Sequence, residues 1–380
     1  MQRALFVGTL LGAALLNAGC QDSSNNPAAS TFTPRPTYEN REPEGLTSRL
    51  NGFTVDPEAY FFNLAACAPP PAQCPLPPLY AEFSPLLQRA VVKNAAITLL
   101  DSATGQPLAA SGVITASDAN GVWTLDKVPT RRGAPYFVLS LVSTEMPPIP
   151  SGTLANNAPA QPPLPPLPPV PEGSYVSTLT VRPVVPAHSA CVGLEALQMS
   201  DKGILEAVAK YLTAESSTPD VPIPVADLLD SAKFGGVTVF WLYRPGFPVF
   251  RVPAANTTVE ASAGRVLNIE WAPVGALPPP LAPFQSTRGF FIPPGPPAPN
   301  SSLGIVAVVH PPSPPGPPPV VHYEAKDSTT SDPEGRPWVL QPLDLPVAPG
   351  TVTFAGLQMY SKTPSTTPQI PPPSTCLPGQ

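Results

Sequence analysis

Five cysteines, three histidines and four tryptophans carry most of the chemical potential of this chain. The histidines His188, His310 and His322 have no acidic partner at ligand spacing, and neither His-x-x-Glu nor His-Glu-x-x-His occurs. A zinc peptidase is therefore not encoded, and no metal or cofactor is expected. His310 and His322 flank a proline-rich loop and could meet across a hairpin, but surface histidines without a role are the simpler reading. No Gly-x-Ser-x-Gly elbow and no phosphate-cradling glycine loop is present. Acids are sparse, and Asp118 and Asp332 read as turn residues rather than as a carboxylate pair for glycosidic work. No catalytic group is expected.

The cysteines point to export. Arg3 precedes an uncharged apolar run from Ala4 to Leu16, too short for a membrane span and of the right length for a signal-peptide core. The run ends in Asn17, Ala18, Gly19 and Cys20, which resembles the bacterial lipobox, with Asn17 standing where leucine is usual. That resemblance implies cleavage before Cys20, diacylation of its thiol and a membrane as partner. More than one acyl chain gives durable anchoring where a single one gives marginal binding. An ordinary cleaved signal or an uncleaved anchor are the alternatives. Gln21 rather than Asp follows the cysteine, so the inner-membrane retention signal is missing and the outer membrane is favoured. The polar stretch from Gln21 to Asn26 suits a tether. Cys67, Cys74, Cys191 and Cys376 remain, an even number in an exported chain, and three disulfide pairings are possible. The favoured one closes a small loop between Cys67 and Cys74 and joins Cys191 to Cys376. No thiol nucleophile is then left.

Trp123, Trp241, Trp271 and Trp338 all sit in strand-like runs. Facing outward, they would offer flat apolar faces to sugar rings and make the chain a carbohydrate-binding or substrate-capture module. Facing inward, they fill a core, which is the commoner use of aromatics. Proline-rich blocks could dock as polyproline II in a protein partner's aromatic groove, or act as stiff spacers. The net charge of −6 argues against nucleic acid, since phosphate binding needs clustered cations and Arg131 with Arg132 is the only adjacent pair.

The elements that position these residues are short and β-type. Proline, at 62 residues, is about three times its usual share and is excluded from helix interiors and central strands. A hydrophobic share of 42% still supports a real core. Between the proline blocks, β-branched and aromatic runs fall at 95–100, 136–142, 175–185, 237–243, 266–271, 304–309, 320–326 and 351–357. Only the stretch from Ser200 to Glu215 has helical spacing, with Ile204, Leu205, Val208, Ala209 and Leu212 on one face and Ser200 or Asp201 as N-cap. A second short helix is predicted between Pro224 and Gly235. The pair reads as a connector between two β units, or alternatively as helices packed on one continuous β domain.

An internal echo favours two units. Asp118 to Leu125 (DANGVWTL) is matched by Asp332 to Leu340 (DPEGRPWVL), and Leu197-Gln198-Met199 by Leu357-Gln358-Met359. Each long copy reads as an Asp-x-x-Gly turn leading into a strand with a large aromatic. With Ala96 to Leu99 and Asp101 to Gly105, the first copy resembles the carboxypeptidase regulatory-like (transthyretin-like) β-sandwich, well over residues 90–145 and loosely over 304–360. The resemblance implies a small non-catalytic β module. The expected fold is all-β, with tandem Ig-like/transthyretin-like β-sandwiches, a short helical connector and proline-rich loops. The expected division is a signal peptide at 1–19, a tether at 20–50, a first unit at 51–200, the connector at 201–235, a second unit at 236–362 and a proline-rich tail at 363–380. The expected function is that of a lipid-anchored, non-enzymatic envelope protein with a structural or protein-contact role.

Overall fold

The computed structural model describes residues 46–67, 90–118, 121–130, 135–141, 150–151, 169–184, 191–244, 252–296, 298–312, 319–332, 334–347 and 350–361. Cys20, Cys74, Cys376, His188 and the expected leader and tail lie outside them.

Extended runs rich in β-branched residues become strands, as proline and glycine spacing dictates. The first half contributes β1 (Thr47–Val55), β2 (Ala96–Asp101), β3 (Val122–Pro129), β4 (Tyr136–Leu141), β5 (Gly173–Val176), β6 (Thr178–Val184) and β7 (Cys191–Leu197). The second half contributes β8 (Gly236–Arg244), β9 (Thr257–Ala261), β10 (Arg265–Asn268), β11 (Ile305–His310), β12 (Val320–Ser331), β13 (Pro337–Pro346) and β14 (Val352–Gln358). Helix α1 (Pro57–Cys67) follows β1, and α2 (Ile204–Glu215) and α3 (Val225–Leu228) lie between the halves. Every run expected to be a strand contains one. The strand β1 and the helix α1 were not expected, and β1 takes over the end of the segment expected to be tether.

The central sheet runs β10-β11-β8-β14-β6-β4-β2 and ends in the short strand Gln106–Pro107. Strand β14 lies parallel to both β8 and β6, with Val352 opposite Val237 on one side and Thr178 on the other. The two expected units therefore meet side by side in one sheet. A smaller sheet, β7-β1-β3, holds β1 in its middle, parallel to β7 and antiparallel to β3. A third sheet, β9-β12-β13, is wholly antiparallel. The described residues are thus mainly β, 47% strand against 14% helix, in several open sheets.

Alternation along the strands sorts the core into three regions. On the central sheet, Val237, Val239, Ile305, Ala307, Val352 and Phe354 face α2, α3, Phe53 and Val55. Farther along the same face, Ile97, Leu99, Tyr136 and Val138 meet Leu50, Trp123, Leu125 and Val128 of the smaller sheet. On the opposite face, Phe240, Leu242, Val306, Val308 and Ala355 meet Val321, Tyr323, Ala325, Leu340 and Leu345 of the third sheet. The helical pair expected as a connector is packed against the central sheet, with Ile204, Leu205, Val208, Tyr211 and Leu228 buried there. Burying that apolar stripe decides its place, because a free-standing linker would leave it in water.

Both copies of the Asp-x-x-Gly echo form the same turn. Gly121 N–H donates to Asp118 O at 3.0 Å and Val122 N–H to Asp118 Oδ1 at 2.9 Å. Gly335 N–H donates to Asp332 O at 2.9 Å and Arg336 N–H to Asp332 Oδ1 at 2.8 Å. Gly121 and Gly335 have φ of 76° and 79°, which only glycine adopts without strain. Beyond the turns the copies differ, since β3 pairs with β1 whereas β13 pairs with β12.

Candidate functional site

The densest polar centre among the described residues is a sealed cluster of Asp56, Glu58 and Arg288. It starts where β1 becomes α1. Asp56 caps the helix, its Oδ1 accepting from Ala59 N–H at 2.9 Å, and Pro57 occupies the first helical position. Glu58, in the first turn, reaches across the fold to α2. There Gly203 stands at the N-cap with no side-chain cap of its own, and Ile204 N–H donates to Glu58 Oε1 at 2.6 Å. A remote carboxylate so fills the capping place that Ser200 or Asp201 was expected to fill. A Cβ at Gly203 would fall on the Glu58 carboxylate, so glycine is required there.

Arg288 arrives on a tight loop built to hold it. Ser286 N–H donates to Phe290 O at 2.7 Å, and Phe290 N–H returns to Ser286 Oγ at 3.0 Å. Helix α2 grips the loop from outside. Thr287 N–H donates to Glu206 Oε2 at 2.7 Å and Lys210 Nζ to Gln285 O at 2.6 Å, while Arg288 N–H donates to Lys202 O, in the turn ahead of the helix, at 3.0 Å. Trp271 Nε1 donates to Arg288 O at 2.9 Å from the other side. The guanidinium Nη1 then donates to Asp56 Oδ2 at 2.7 Å and Glu58 Oε2 at 3.2 Å. Nε donates to Pro171 O at 3.4 Å, and Tyr175 OH donates to Asp56 Oδ2 at 3.1 Å. Four stretches of chain far apart in sequence thus close on one point.

Asp56, Glu58 and Arg288 are each 0% exposed. Two carboxylates face one guanidinium, so full ionisation would leave an excess negative charge in a low-dielectric interior, which is costly. Burial pushes the Glu58 carboxyl up to about 7, against the pull of Arg288 and with a further push from Asp56. Burial also opposes the charge on Arg288, but the two carboxylates outweigh it and hold the guanidinium protonated above its ordinary range. With no exposed atom in any of the three residues, a substrate has no approach to the cluster.

Two further polar groups surround histidines. His310 Nε2, Thr238 Oγ1 and Tyr323 OH form a closed triangle with sides of 3.1, 3.1 and 3.2 Å between the central and third sheets. Burial lowers the His310 imidazole to about 4 and lifts the Tyr323 phenol to about 12. His322 lies outside, on the solvent face of β12, with Nδ1 2.7 Å from Asp344 and Nε2 3.3 Å from Glu324. His310 and His322 do not meet across a hairpin, and of the two only His322 is the surface histidine expected. The chain passes from one sheet to another between them, leaving one ring inside and the other on the surface. His322 has acidic partners after all, Asp344 supplied by strand pairing and Glu324 by its place two residues along the same strand. They sit on different ring nitrogens, and no group of His, Cys, Asp and Glu among the described residues converges on a metal position.

The tryptophans do not form one row. Trp123 is 1% exposed and fills the core between β3 and the central sheet, so it is corrected from a possible ligand platform to a core residue. Trp241, Trp271 and Trp338 are half-buried. Trp241 and Trp271 meet Phe61 of α1 edge-to-face, at centroid distances of 5.4 and 5.6 Å, while Trp338 packs on the third sheet. Cys67 closes α1 and Cys191 opens β7, and the expected disulfides lie outside the described residues.

Sequence reasoning missed the whole charge cluster. Its one legible signal was the triplet Asp56-Pro57-Glu58, with cap, proline and first-turn acid in the order that starts a helix. Nothing local to Arg288 marks it as the partner. Fold and site together define a mainly β protein whose open sheets are pinned by a sealed ionic centre. No family model matches the chain, and no curated protein or solved structure does so either.

Proposed function

We propose that this chain is a lipid-anchored, non-enzymatic protein of the bacterial cell envelope, held by Cys20 to the outer membrane, with a structural or protein-contact role. The observation that carries this reading is where the chain enters the fold. From an anchor at Cys20, the first strand among the described residues is β1, the middle strand of its sheet, which leads directly into the Asp56–Glu58–Arg288 cluster. Force on the tether would meet a strand bonded on both edges and then a buried ionic centre. An edge strand would peel, whereas a central one must shear several hydrogen bonds together. No helix among the described residues is long and apolar enough to cross a membrane.

A finer fold assignment belongs to the same proposal. The strands near residues 90–145 are a carboxypeptidase regulatory-like unit, supported by the hydrogen-bonded Asp118–Gly121 turn and the buried Trp123. The test of the anchor is fractionation of intact cells. The wild-type protein should stay with membranes through a carbonate wash and Cys20→Ala should be released. Retention of the substituted protein refutes the anchor. Carbohydrate capture is the second reading, favoured by the half-buried Trp241 and Trp271 around Phe61. Tryptophan fluorescence titrated with polysaccharides should stay flat under the first reading and shift under the second.

A further inference from the structure

We propose that the Asp56–Glu58–Arg288 cluster is a proton-operated latch: Glu58 carries a proton when the latch is closed, and its loss loosens the junction of β1, α1, α2 and the Arg288 loop. The geometry carries this. One guanidinium nitrogen serves both carboxylates, at 2.7 Å to Asp56 and 3.2 Å to Glu58, and all three residues are sealed from water. Asp56 holds the shorter contact, the Tyr175 hydroxyl and the capping N–H of Ala59, which suits the ionised partner. Glu58 has the longer contact and is left to take the proton that cancels the surplus charge.

The groups facing Glu58 from each packed element support the assignment. From the Arg288 loop comes the one cation, which favours the ionised form, and from the end of β1 comes Asp56, which opposes it. The Ile204 N–H at the start of α2 and the Ser200 N–H just ahead of that helix favour ionisation, but burial and Asp56 together outweigh all three donors. Tyr175 on β5 points its hydroxyl at Asp56. On the turn before Gly203, the Asp201 carboxylate is occupied by Ser174 N–H at 2.7 Å, and Lys202 Nζ lies 4.0 Å from Asp201.

The sign follows from linkage. Glu58 rises from 4.5 to about 7 on folding, so the folded chain binds more protons than the unfolded one between those values. Its stabilisation is complete below the lower value and is lost as pH climbs through the upper one. Between pH 5 and 8 the unfolding constant should therefore rise roughly tenfold to a hundredfold from this group alone. His310, lowered to about 4, acts in the opposite direction below its ordinary pKa, and the raised His322 acts in the same direction as Glu58. The raw pH profile mixes the three, so the readout is the difference between two proteins.

Urea unfolding of the wild type and Glu58→Gln is measured from pH 5 to 8. Glutamine keeps an oxygen for Ile204 N–H and cannot ionise. The ratio of the two unfolding constants should change across the series by the stated factor in favour of the variant at high pH. A constant ratio overturns the latch. Should Glu58→Gln fail to fold, the amide shift of Ile204 in the wild-type protein replaces it. That amide should titrate with a midpoint near 7, and a midpoint below 5, or no titration between 5 and 8, overturns the proposal. Neither measurement depends on how the protein is anchored.

Discussion

Replacing Arg288 by methionine separates a cluster that binds the fold together from one that is merely tolerated. Methionine fills much of the same volume and cannot donate, so both guanidinium contacts, at 2.7 and 3.2 Å, are lost at once. Asp56 and Glu58 then share a sealed site with no counter-charge. Removing one partner of a buried ion set costs about 3–5 kcal/mol, mostly from the charge left behind. Glu58 can relieve part of this by taking a proton, since burial already pushes its carboxyl up to about 7. We therefore expect a loss of about 3 kcal/mol at pH 7, read by urea unfolding and by circular dichroism melting, with a drop of about 5 °C in the midpoint. The companion variant Asp56→Asn/Glu58→Gln/Arg288→Met removes all three charges and keeps the capping oxygens. It should recover most of the loss, since deleting a whole buried ion set is often close to neutral. An Arg288→Met protein within about 1 kcal/mol of the wild type would refute the reasoning, and so would a triple variant no better than the single one.

Two further outcomes follow from the same contacts. Gly203→Ala places a methyl on the Glu58 carboxylate and must break either the Ile204 cap or the Arg288 contact. It should destabilise by about 1–3 kcal/mol in urea unfolding, more than a glycine-to-alanine change at an open helix start. Asp344→Asn removes the principal partner that raises the exposed His322 imidazole, and an NMR titration of that ring should show its midpoint falling toward the ordinary histidine value.

How far the sequence was legible depends on the range of the forces involved. Strands such as β8 and β11 announce themselves, because Val237 to Leu242 and Ile305 to Val309 pack against core on both faces and are apolar at every position but Thr238. Helix α2 is legible for the converse reason, since one face is buried and the other wet. Helix α1 is not, because its apolar residues Ala59, Tyr60, Phe61 and Phe62 run consecutively and show no helical period. The strand β1 was hidden by its composition. Asn51, Gly52 and Thr54 look like linker, yet all three are buried, and their place is set by pairing with Gly193, Leu194 and Ala196. The charge cluster is the extreme case, joining residues separated by 230 and 232 positions. Only the closed fold brings them together, so no window along the chain can show them.

The same long range explains why the two expected units are not independent. Strand β14 comes last among the described elements, yet it inserts between β8 of the second half and β6 of the first. Until β14 is in place, β8 and β6 each have an unpaired edge, and Phe354 is absent from the core beneath α2. Arg288 repeats the logic on the helical side, carrying a second-half loop to the end of β1. A cut at the helices would therefore expose sheet edges and strand a buried charge on each fragment, both of which folding avoids. These distant contacts join the halves through a shared sheet, a shared core and a shared ion cluster.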